Sequence, residues 1–297
     1  MYNSVSELLK EAKEKNSTLW NVILEEEQRC KGTTVDDIFA ELERRYEIMK
    51  ESTERATDRK REALRKSLIT GMAATQKNYA MGHQSICGDF MNLVMARALS
   101  CSECNAAMGR ICAAPTAGAC GILPAVLVSL EERYQCPKRK MLEALLVASG
   151  IGTVIVKNAT VSGAEGGCQA ECGVAAAIAS AAAVYLAGGD NKMQTEAVAL
   201  ALINVMGLIC DPVAGLVQIP CAQRNASQSV NALLSADLAL SGNISFIPAD
   251  EVIEAMYKSG KMLPSELKET ALGGIAVTET GKAIAEAAMI SSEKVSC

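Results

Sequence analysis

The sequence contains one histidine, His83, and only 3% of its 297 residues are aromatic. One histidine cannot supply a metal site that needs several, such as a mononuclear zinc hydrolase or a site of two histidines and a carboxylate. A Ser-His-Asp triad would depend on His83 alone, and no nucleophile elbow accompanies it. We therefore interpret His83 as a local structural residue rather than a catalyst.

Several other signals are also missing. The sequence shows no glycine-rich phosphate loop, no repeat at a solenoid period and no clear alternation of apolar and polar residues. No lysine lies in a setting typical of a pyridoxal phosphate Schiff base, so we expect no pyridoxal phosphate. The net charge of −5 gives no electrostatic reason to bind nucleic acid or an anionic membrane. The N-terminus lacks the apolar core of a signal peptide, which predicts a cytoplasmic protein.

The residues that are present predict an all-α fold. The chain is 49% hydrophobic and rich in small residues, which favours a compact multi-helix domain with close helix packing around a pocket. We expect one catalytic domain over 1–297, with peripheral charged helices in 1–65 and the core in 66–297. The uncharged runs 111–130 and 172–189 are interpreted as buried helices rather than membrane spans. Helices in the core are predicted at 91–108, 122–132, 141–157, 168–187, 196–206, 225–240, 249–258 and 279–290.

Twelve cysteines in a chain expected to be cytosolic should be reduced, and they invite a metal or redox explanation for some of them. Cys101 and Cys104 are neighbours on one helix face, and without a second pair at zinc spacing core packing is favoured. Cys168 is predicted at a helix N-terminus, where partial positive charge stabilises a thiolate. Cys210 and Cys221 lie at the two ends of a segment in which two prolines and a glycine disfavour a regular helix. Taken alone, this segment is compatible with either metal binding or core packing.

Widely spaced thiolates on such loops suit an iron–sulfur cluster. Three protein ligands on a four-iron cluster would leave one iron open as a Lewis acid, which favours hydro-lyase chemistry over electron transfer. The small-residue turn 115–121 leads into a helix, whose free N–H groups could receive a carboxylate. A close helix crossing that tolerates only small residues explains this turn equally well. The last residue, Cys297, has no evident role by itself.

Four stretches in this order resemble the α chain of the iron–sulfur-dependent L-serine dehydratases. They are Asn-Ala-Ala-Met-Gly-Arg at 105–110, Ala-Pro-Thr-Ala-Gly-Ala-Cys-Gly-Ile-Leu-Pro-Ala at 114–125, a stretch at 157–171 that ends in Glu-Gly-Gly-Cys-Gln-Ala-Glu, and Cys-Asp-Pro-Val-Ala-Gly-Leu-Val-Gln-Ile-Pro-Cys-Ala-Gln-Arg-Asn at 210–225. The resemblance implies a mostly helical fold, an oxygen-sensitive [4Fe-4S] cluster and conversion of L-serine to pyruvate and ammonia without pyridoxal phosphate. It assigns Cys168, Cys210 and Cys221 as cluster ligands and leaves Cys172 to the core. It also implies that Cys297 caps the fourth iron until substrate displaces it.

The resemblance further implies a separate β chain, which would carry the histidine base, so we name no base in this chain. The candidates for holding the substrate are Thr116, Ala117, Gly118, Glu165, Arg224 and Asn225. Three alternatives remain: a cysteine desulfidase or threonine dehydratase with the same cluster, a non-enzymatic iron–sulfur redox or sensor protein, and a structural helical protein with buried thiols.

Overall fold

A computed structural model describes residues 2–57 and 67–293. Within these ranges the regular structure is helical, and the β contribution is one isolated bridge between Cys210 and Lys268. The predicted all-α fold is therefore confirmed. The α-helices are α1 (Val5–Glu14), α2 (Leu19–Lys31), α3 (Val35–Arg55), α4 (Met72–Met81), α5 (Gly88–Ala106), α6 (Ile122–Tyr134), α7 (Lys138–Asn158), α8 (Gly163–Gly166), α9 (Val174–Leu186), α10 (Asn191–Ile203), α11 (Cys221–Leu240), α12 (Ala249–Met262) and α13 (Glu279–Glu293).

Helix α9 lies at the centre of the core. All of its residues except Tyr185 are buried, and seven of its thirteen are alanine. A helix that is apolar on every face must be surrounded by other elements, and α6, α7, α10 and α11 pack against this one. Alanine lets these neighbours approach closely and loses no side-chain entropy in the helix. The small-residue packing expected from the composition is present here.

The N-terminal helices contribute to the same core. A Ser or Thr side chain caps the N-terminus of each of α1, α2 and α3, and the third helix has a capping box formed by Thr34 and Asp37. Leu8, Leu19 and Tyr46 are fully buried and belong to the hydrophobic cluster that includes α9. Helix α2 packs on α7, and α3 packs on α5. These helices are charged on their outer faces, as predicted, but their inner faces complete the core.

Two helical stretches are long and apolar enough to cross a membrane, Lys138–Asn158 and Gln169–Leu186. Within their most apolar windows, 56% and 89% of the residues are buried inside the protein. Such burial is typical of core helices, because a spanning helix would present its apolar surface to lipid. The other uncharged run, 111–130, is a loop followed by the start of α6, so it forms no continuous span.

Several helix boundaries differ from the sequence-based prediction, and two helices, α4 and the four-residue α8, were missed. Helix α10 begins at Asn191 rather than at 196, and α11 begins at Cys221, directly after Pro220. Helix α4 was not predicted. Its first N–H groups are capped from a distant helix, since the carboxylate of Glu103 accepts from Gly71 N at 2.8 Å and Ala73 N at 2.7 Å. A cap supplied by another element leaves no local signal in the sequence.

Candidate active site

The candidate site lies where four stretches converge: 116–118, 163–173, 210–221 and 263–277. Three close approaches establish this convergence. A Cβ added to Gly118 would contact both Glu171 and Val217, one added to Gly167 would contact Leu263, and the backbone of Cys210 pairs with Leu267. Loops thus surround the site, while the helices behind them hold their ends. Loops placed on a rigid scaffold commonly carry binding and catalytic residues.

Cys168 follows a glycine that no other residue could replace without strain. Gly167 has φ +77, and a Cβ there would lie 2.8 Å from the carbonyl oxygen of Leu208. After Cys168 the chain makes one π-helical turn, Gln169–Gly173, and continues directly into α9. The thiol of Cys168 is therefore at the start of a helical run, as predicted, where the partial positive charge favours an anion.

The side chain of Gln169 fixes this turn. Its amide nitrogen donates to Gly166 O at 3.0 Å and to Met256 O at 3.2 Å, and its carbonyl oxygen accepts from Gly207 N at 2.8 Å. Gln169 is fully buried. These bonds connect the residue after Cys168 to the loop before Cys210 and to α12, so they hold two site segments in register.

Backbone hydrogen bonds lock Cys210 in place. Its N–H donates to Leu267 O at 2.9 Å, and its carbonyl oxygen accepts from Glu269 N at 2.7 Å. Beyond it the chain turns through Ala214 and Gly215, both at positive φ, and reaches Cys221 as the first residue of α11. The predicted irregular segment thus spans the two cysteines and brings both back to the site. No signal in the sequence pointed to the contribution of 267–269.

Arg224 and Asp211 form a buried ion pair behind Cys210. The Nη2 of Arg224 lies 2.7 Å from Asp211 Oδ1, and Nη1 donates to Ile209 O at 2.8 Å. The second oxygen of Asp211 accepts from Ile275 N at 2.8 Å. Side-chain exposure is 16% for Arg224 and 2% for Asp211. Since Ile209 and Asp211 flank Cys210, this pair determines where the cysteine lies and joins it to the 273–277 segment.

Asn225 holds the small-residue turn against α11. Its Oδ1 accepts from Gly121 N at 2.8 Å, and its Nδ2 donates to the carbonyl oxygens of Gly118 at 2.7 Å and Cys221 at 2.8 Å. A Cβ on Gly121 would lie 2.5 Å from Ala98 O, so this turn also makes a close helix crossing. The crossing explains why small residues occupy the turn, and Asn225 positions the turn beside Cys221.

The three thiols at the site influence one another electrostatically. Burial raises the pKa of Cys210 well above its usual range and that of Cys221 to about 12, and in both cases negative charge on Cys168 adds to the rise. The pKa of Cys168 is lowered, chiefly by the neighbouring thiol of Cys172 and then by the charge of Arg224, which together outweigh burial and Glu171. Cys168 is therefore the thiol of this group that is most readily deprotonated.

Glu171 brings a carboxylate to the same place. A Cβ on Gly163 would lie 2.8 Å from Glu171 Oε2 and 3.0 Å from Cys210 Sγ, and a Cβ on Gly118 would lie 3.4 Å from Oε2. Burial and the nearby charge of Glu269 raise the pKa of Glu171 to about 7, against the effects of Thr116 and the N–H of Gly163. The sequence-based interpretation missed Glu171 and named Glu165 of the same motif instead.

The remaining residues that the sequence suggested for the site differ in their exposure and in their distance from Glu171. Thr116 and Gly118 lie beside Glu171. Glu165 is exposed on α8, and Ala117 is exposed and accepts a hydrogen bond from Asn105 through its carbonyl oxygen. Cys297 lies outside the described residues. Outside the site, His83 is exposed with Nδ1 2.5 Å from Asp89 Oδ2, Cys101 and Cys104 are buried in the core, and Cys172 is buried beside Cys168.

Whether the residues of this site can hold a metal group depends on the size of that group. Among the described residues, no three His, Cys, Asp or Glu side chains lie close enough together to hold one metal ion. An iron–sulfur cluster has several metal atoms, so its protein ligands are spread around a larger object and need not converge on one point. The donor set at this site, thiols on glycine- and proline-shaped loops, has the chemistry that such clusters require. The residues present therefore fit a cluster better than a single ion.

The fold and the candidate site define a class: an all-α protein that gathers buried cysteines and a carboxylate where its loops converge. A family model described as "Serine dehydratase alpha chain" matches residues 14–276, and the chain belongs to this family. It is 44% identical over 284 residues to the "L-serine dehydratase, alpha chain" of Peptoniphilus asaccharolyticus, covering 96% of this chain and 97% of the relative. The family resemblance inferred from the sequence is confirmed.

Two further relatives extend this comparison. The chain is 40% identical over 282 residues to the "Probable L-serine dehydratase, alpha chain" of Bacillus subtilis (strain 168), covering 95% of this chain and 93% of the relative. It is 34% identical over 281 residues to "L-serine dehydratase TdcG" of Escherichia coli (strain K12), covering 93% of this chain and 62% of that protein. Relatives therefore include both chains of similar length and a longer protein.

Proposed function

We propose that this chain is the α subunit of an L-serine dehydratase, a lyase that deaminates L-serine to pyruvate and ammonia with a [4Fe-4S] cluster and without pyridoxal phosphate. The meeting of three thiols, on Cys168, Cys210 and Cys221, beside the carboxylate of Glu171 carries the proposal. Family membership and the activity named for the relatives support the same reaction.

Cys168, Cys210 and Cys221 are the residues that would hold the cluster. When bound, a cluster with one iron free of protein thiolate supplies a Lewis acid that helps a substrate hydroxyl to leave. This chain's own residues orient the substrate. We propose Thr116 and Gly118 as direct contacts, and Arg224 and Asn225 as residues that hold the loops on which the contacts lie. Ala117 and Glu165 are exposed and form the rim in this proposal.

The chain also controls access of water to the site. Cys168 and Cys210 are 3% and 4% exposed, and Gly163 is buried between Glu171 and Cys210. A site that excludes water strengthens every electrostatic interaction inside it and protects a reactive intermediate from side reactions. Burial of the thiols also limits the access of oxygen, to which we propose the cluster is sensitive.

The partner and the cellular location belong to the same proposal. The relatives named as α chains, which this chain covers almost end to end, support a separate β chain. We propose that the β chain supplies the base that removes the α-proton of L-serine, and that the complex is cytoplasmic.

The decisive experiment is anaerobic purification with the β chain, followed by iron and sulfide analysis and pyruvate assays. We expect about four iron and four sulfide per α chain and pyruvate formation from L-serine. Parallel assays with L-threonine and L-cysteine test the threonine dehydratase and cysteine desulfidase alternatives. Full activity in metal-free protein would overturn the proposal. A loaded cluster without turnover of any of the three amino acids would favour a redox or sensor protein.

A first prediction concerns Cys297, which we propose caps the fourth iron of the cluster until the substrate displaces it. Replacing Cys297 by alanine should keep cluster assembly but make the cluster more labile, because the fourth iron would lose its thiolate between turnovers. The measurement is the rate at which cluster absorbance decays on exposure to air, together with the KM for L-serine. Decay and KM equal to those of the wild type would show that Cys297 is not a cap.

A second prediction concerns Gly163. Alanine there would place a methyl group 2.8 Å from Glu171 Oε2 and 3.0 Å from Cys210 Sγ. Glu171 can swing away, so we expect little loss of stability but a fall of about a hundredfold in kcat/KM for L-serine, the effect of misplacing a reacting group by about 1 Å. The matched control is Gly152→Ala in α7, where the nearest atom would be Ile178 Cγ2 at an ordinary 3.6 Å. Equal kinetics in the two variants would contradict the prediction.

A further inference from the structure

Glu171 differs from three other acidic side chains inside the protein, because each of those three accepts backbone hydrogen bonds that hold a structural element in place. Glu103 accepts the first N–H groups of α4, and Asp211 pairs with Arg224 and the N–H of Ile275. Glu196 accepts from Ser245 N at 2.9 Å. Within the described part of the chain, no lysine, arginine or histidine forms an ion pair with Glu171. Its carboxylate is therefore the one of these whose charge the fold leaves uncompensated.

The other charged groups near Glu171 add to the uncompensated negative charge at this position. A second carboxylate near it belongs to Glu269, whose negative charge acts on Glu171. Arg224 brings a cation to the site, but its two terminal nitrogens bond to Asp211 and to Ile209 O. A site with this excess of negative charge favours a ligand that brings positive charge.

A second polar group lies beside the first. The hydroxyl oxygen of Thr116 is buried and has no hydrogen-bond partner of normal geometry within the residues described, although it lies near enough to Glu171 to lower the pKa of that carboxyl as a side-chain hydrogen-bond donor. A buried polar atom without a partner costs free energy, so its presence at a site indicates a partner that is not part of the protein. The Thr116 hydroxyl and the Glu171 carboxylate together offer acceptors for a group with several N–H donors.

We infer that Glu171, with Thr116, receives the α-ammonium group of the substrate and so selects amino acids over the corresponding hydroxy or deaminated acids. This inference rests on the proposed function and adds to it the recognition of the amino group. An ammonium group has three donors and a full positive charge, which match the two acceptors and the negative surroundings. Gly118 and Gly163 leave the carboxylate open to the ligand, since a Cβ at either position would contact its oxygens.

The test compares two ligands on the cluster-loaded complex with its β chain. L-Serine carries the ammonium group, and 3-hydroxypropionate is the same molecule without it. Glu171→Gln keeps the shape of the side chain but removes its charge. We expect it to weaken L-serine binding at least about tenfold, as for the loss of a charge-assisted hydrogen bond, and to leave 3-hydroxypropionate binding unchanged. Binding is measured from the ligand-induced change in the cluster spectrum and from KM and inhibition constants.

Controls separate this role from a structural one. Glu254→Gln removes an exposed carboxylate of α12 and should bind both ligands like the wild type. Glu171→Asp should restore part of the selectivity. If Glu171→Gln fails to hold the cluster, Thr116→Val carries the test, with an expected selective weakening of L-serine binding by about threefold to tenfold.

Three outcomes would overturn the inference. They are unchanged L-serine binding in Glu171→Gln, unchanged binding in Thr116→Val where that variant carries the test, or an equal loss for both ligands. If the wild-type complex neither binds nor deaminates L-serine, the proposed function itself fails. If the wild type deaminates L-serine and the variants retain its selectivity, only the inference fails.

Discussion

Replacing Cys210 by alanine is expected to give a folded chain that binds no [4Fe-4S] cluster and deaminates L-serine at least about a thousandfold more slowly, since a Lewis-acid group contributes several kcal/mol. The sulfur of Cys210 faces the site beside Gly163, and two backbone hydrogen bonds to 267–269 fix its position. These bonds involve the main chain only, so they survive the substitution. The free energy of unfolding of the metal-free chain should therefore change by only about 1 kcal/mol. Iron and sulfide content, the cluster spectrum and pyruvate formation are measured together.

Cys172→Ala is the matched control for this prediction. Cys172 is a buried thiol beside Cys168, but it lies on the π-helical turn behind the site and is interpreted as a core residue. We expect this variant to keep its iron and most of its activity. An intact [4Fe-4S] spectrum in Cys210→Ala would remove Cys210 from the ligand set. If the Cys172 variant lost its iron and the Cys210 variant kept it, Cys172 would be the cluster ligand and Cys210 the core residue.

The sequence was sufficient for the fold because local and global signals agree over most helices. Apolar residues at helical spacing predicted α5, α6 and α7 closely, and the alanine-rich run predicted the buried α9. Helix α4 was not predicted for two reasons. It has no apolar stripe in its sequence, Met-Ala-Ala-Thr-Gln-Lys-Asn-Tyr-Ala-Met, and its N-terminal cap comes from Glu103. Tertiary contacts of this kind override weak local propensity, and a single sequence does not display them.

The site was predictable only where its residues carry distinctive chemistry. The spacing and surroundings of Cys168, Cys210 and Cys221 drew attention to them. Glu165 and Glu171 are six positions apart in one motif, and the sequence alone did not reveal which of them faces the site. The π-helical turn Gln169–Gly173 decides this, because inserting one residue per turn rotates the side chains relative to an α-helix. Such a turn depends on the packing around it, here on the buried hydrogen bonds of Gln169.

The ion pair behind the site was also invisible in the sequence, although Arg224 had been selected as a substrate residue. Both terminal nitrogens of Arg224 bond to protein atoms on either side of Cys210. The guanidinium group therefore connects the two residues that flank Cys210. Burial alone would lower the pKa of Arg224, but the pKa is raised because the charge of Cys168, and then that of Asp211, outweigh the burial.

Arg224→Ala is expected to lower the free energy of unfolding of the metal-free chain by about 3–5 kcal/mol, the usual cost of breaking a buried ion pair on one side. Asp211, with a side chain only 2% exposed, would lose its cation and keep only the N–H of Ile275. The loss is a large fraction of the 5–15 kcal/mol typical of a folded protein. Urea unfolding followed by circular dichroism measures it.

Two further variants test whether the loss of stability in Arg224→Ala arises because its ion pair with Asp211 is buried. Arg44→Ala removes an arginine whose Nη2 lies 2.8 Å from Glu41 but whose side chain is 65% exposed, and it should cost less than about 1 kcal/mol because exposed ion pairs contribute little. Adding Asp211→Asn to Arg224→Ala should recover part of the lost stability, since the uncompensated charge disappears. Equal losses in Arg224→Ala and Arg44→Ala would show that the pair behind Cys210 does not hold the site together. If the losses differ as expected, the buried charge pair stabilises the loop that carries Cys210.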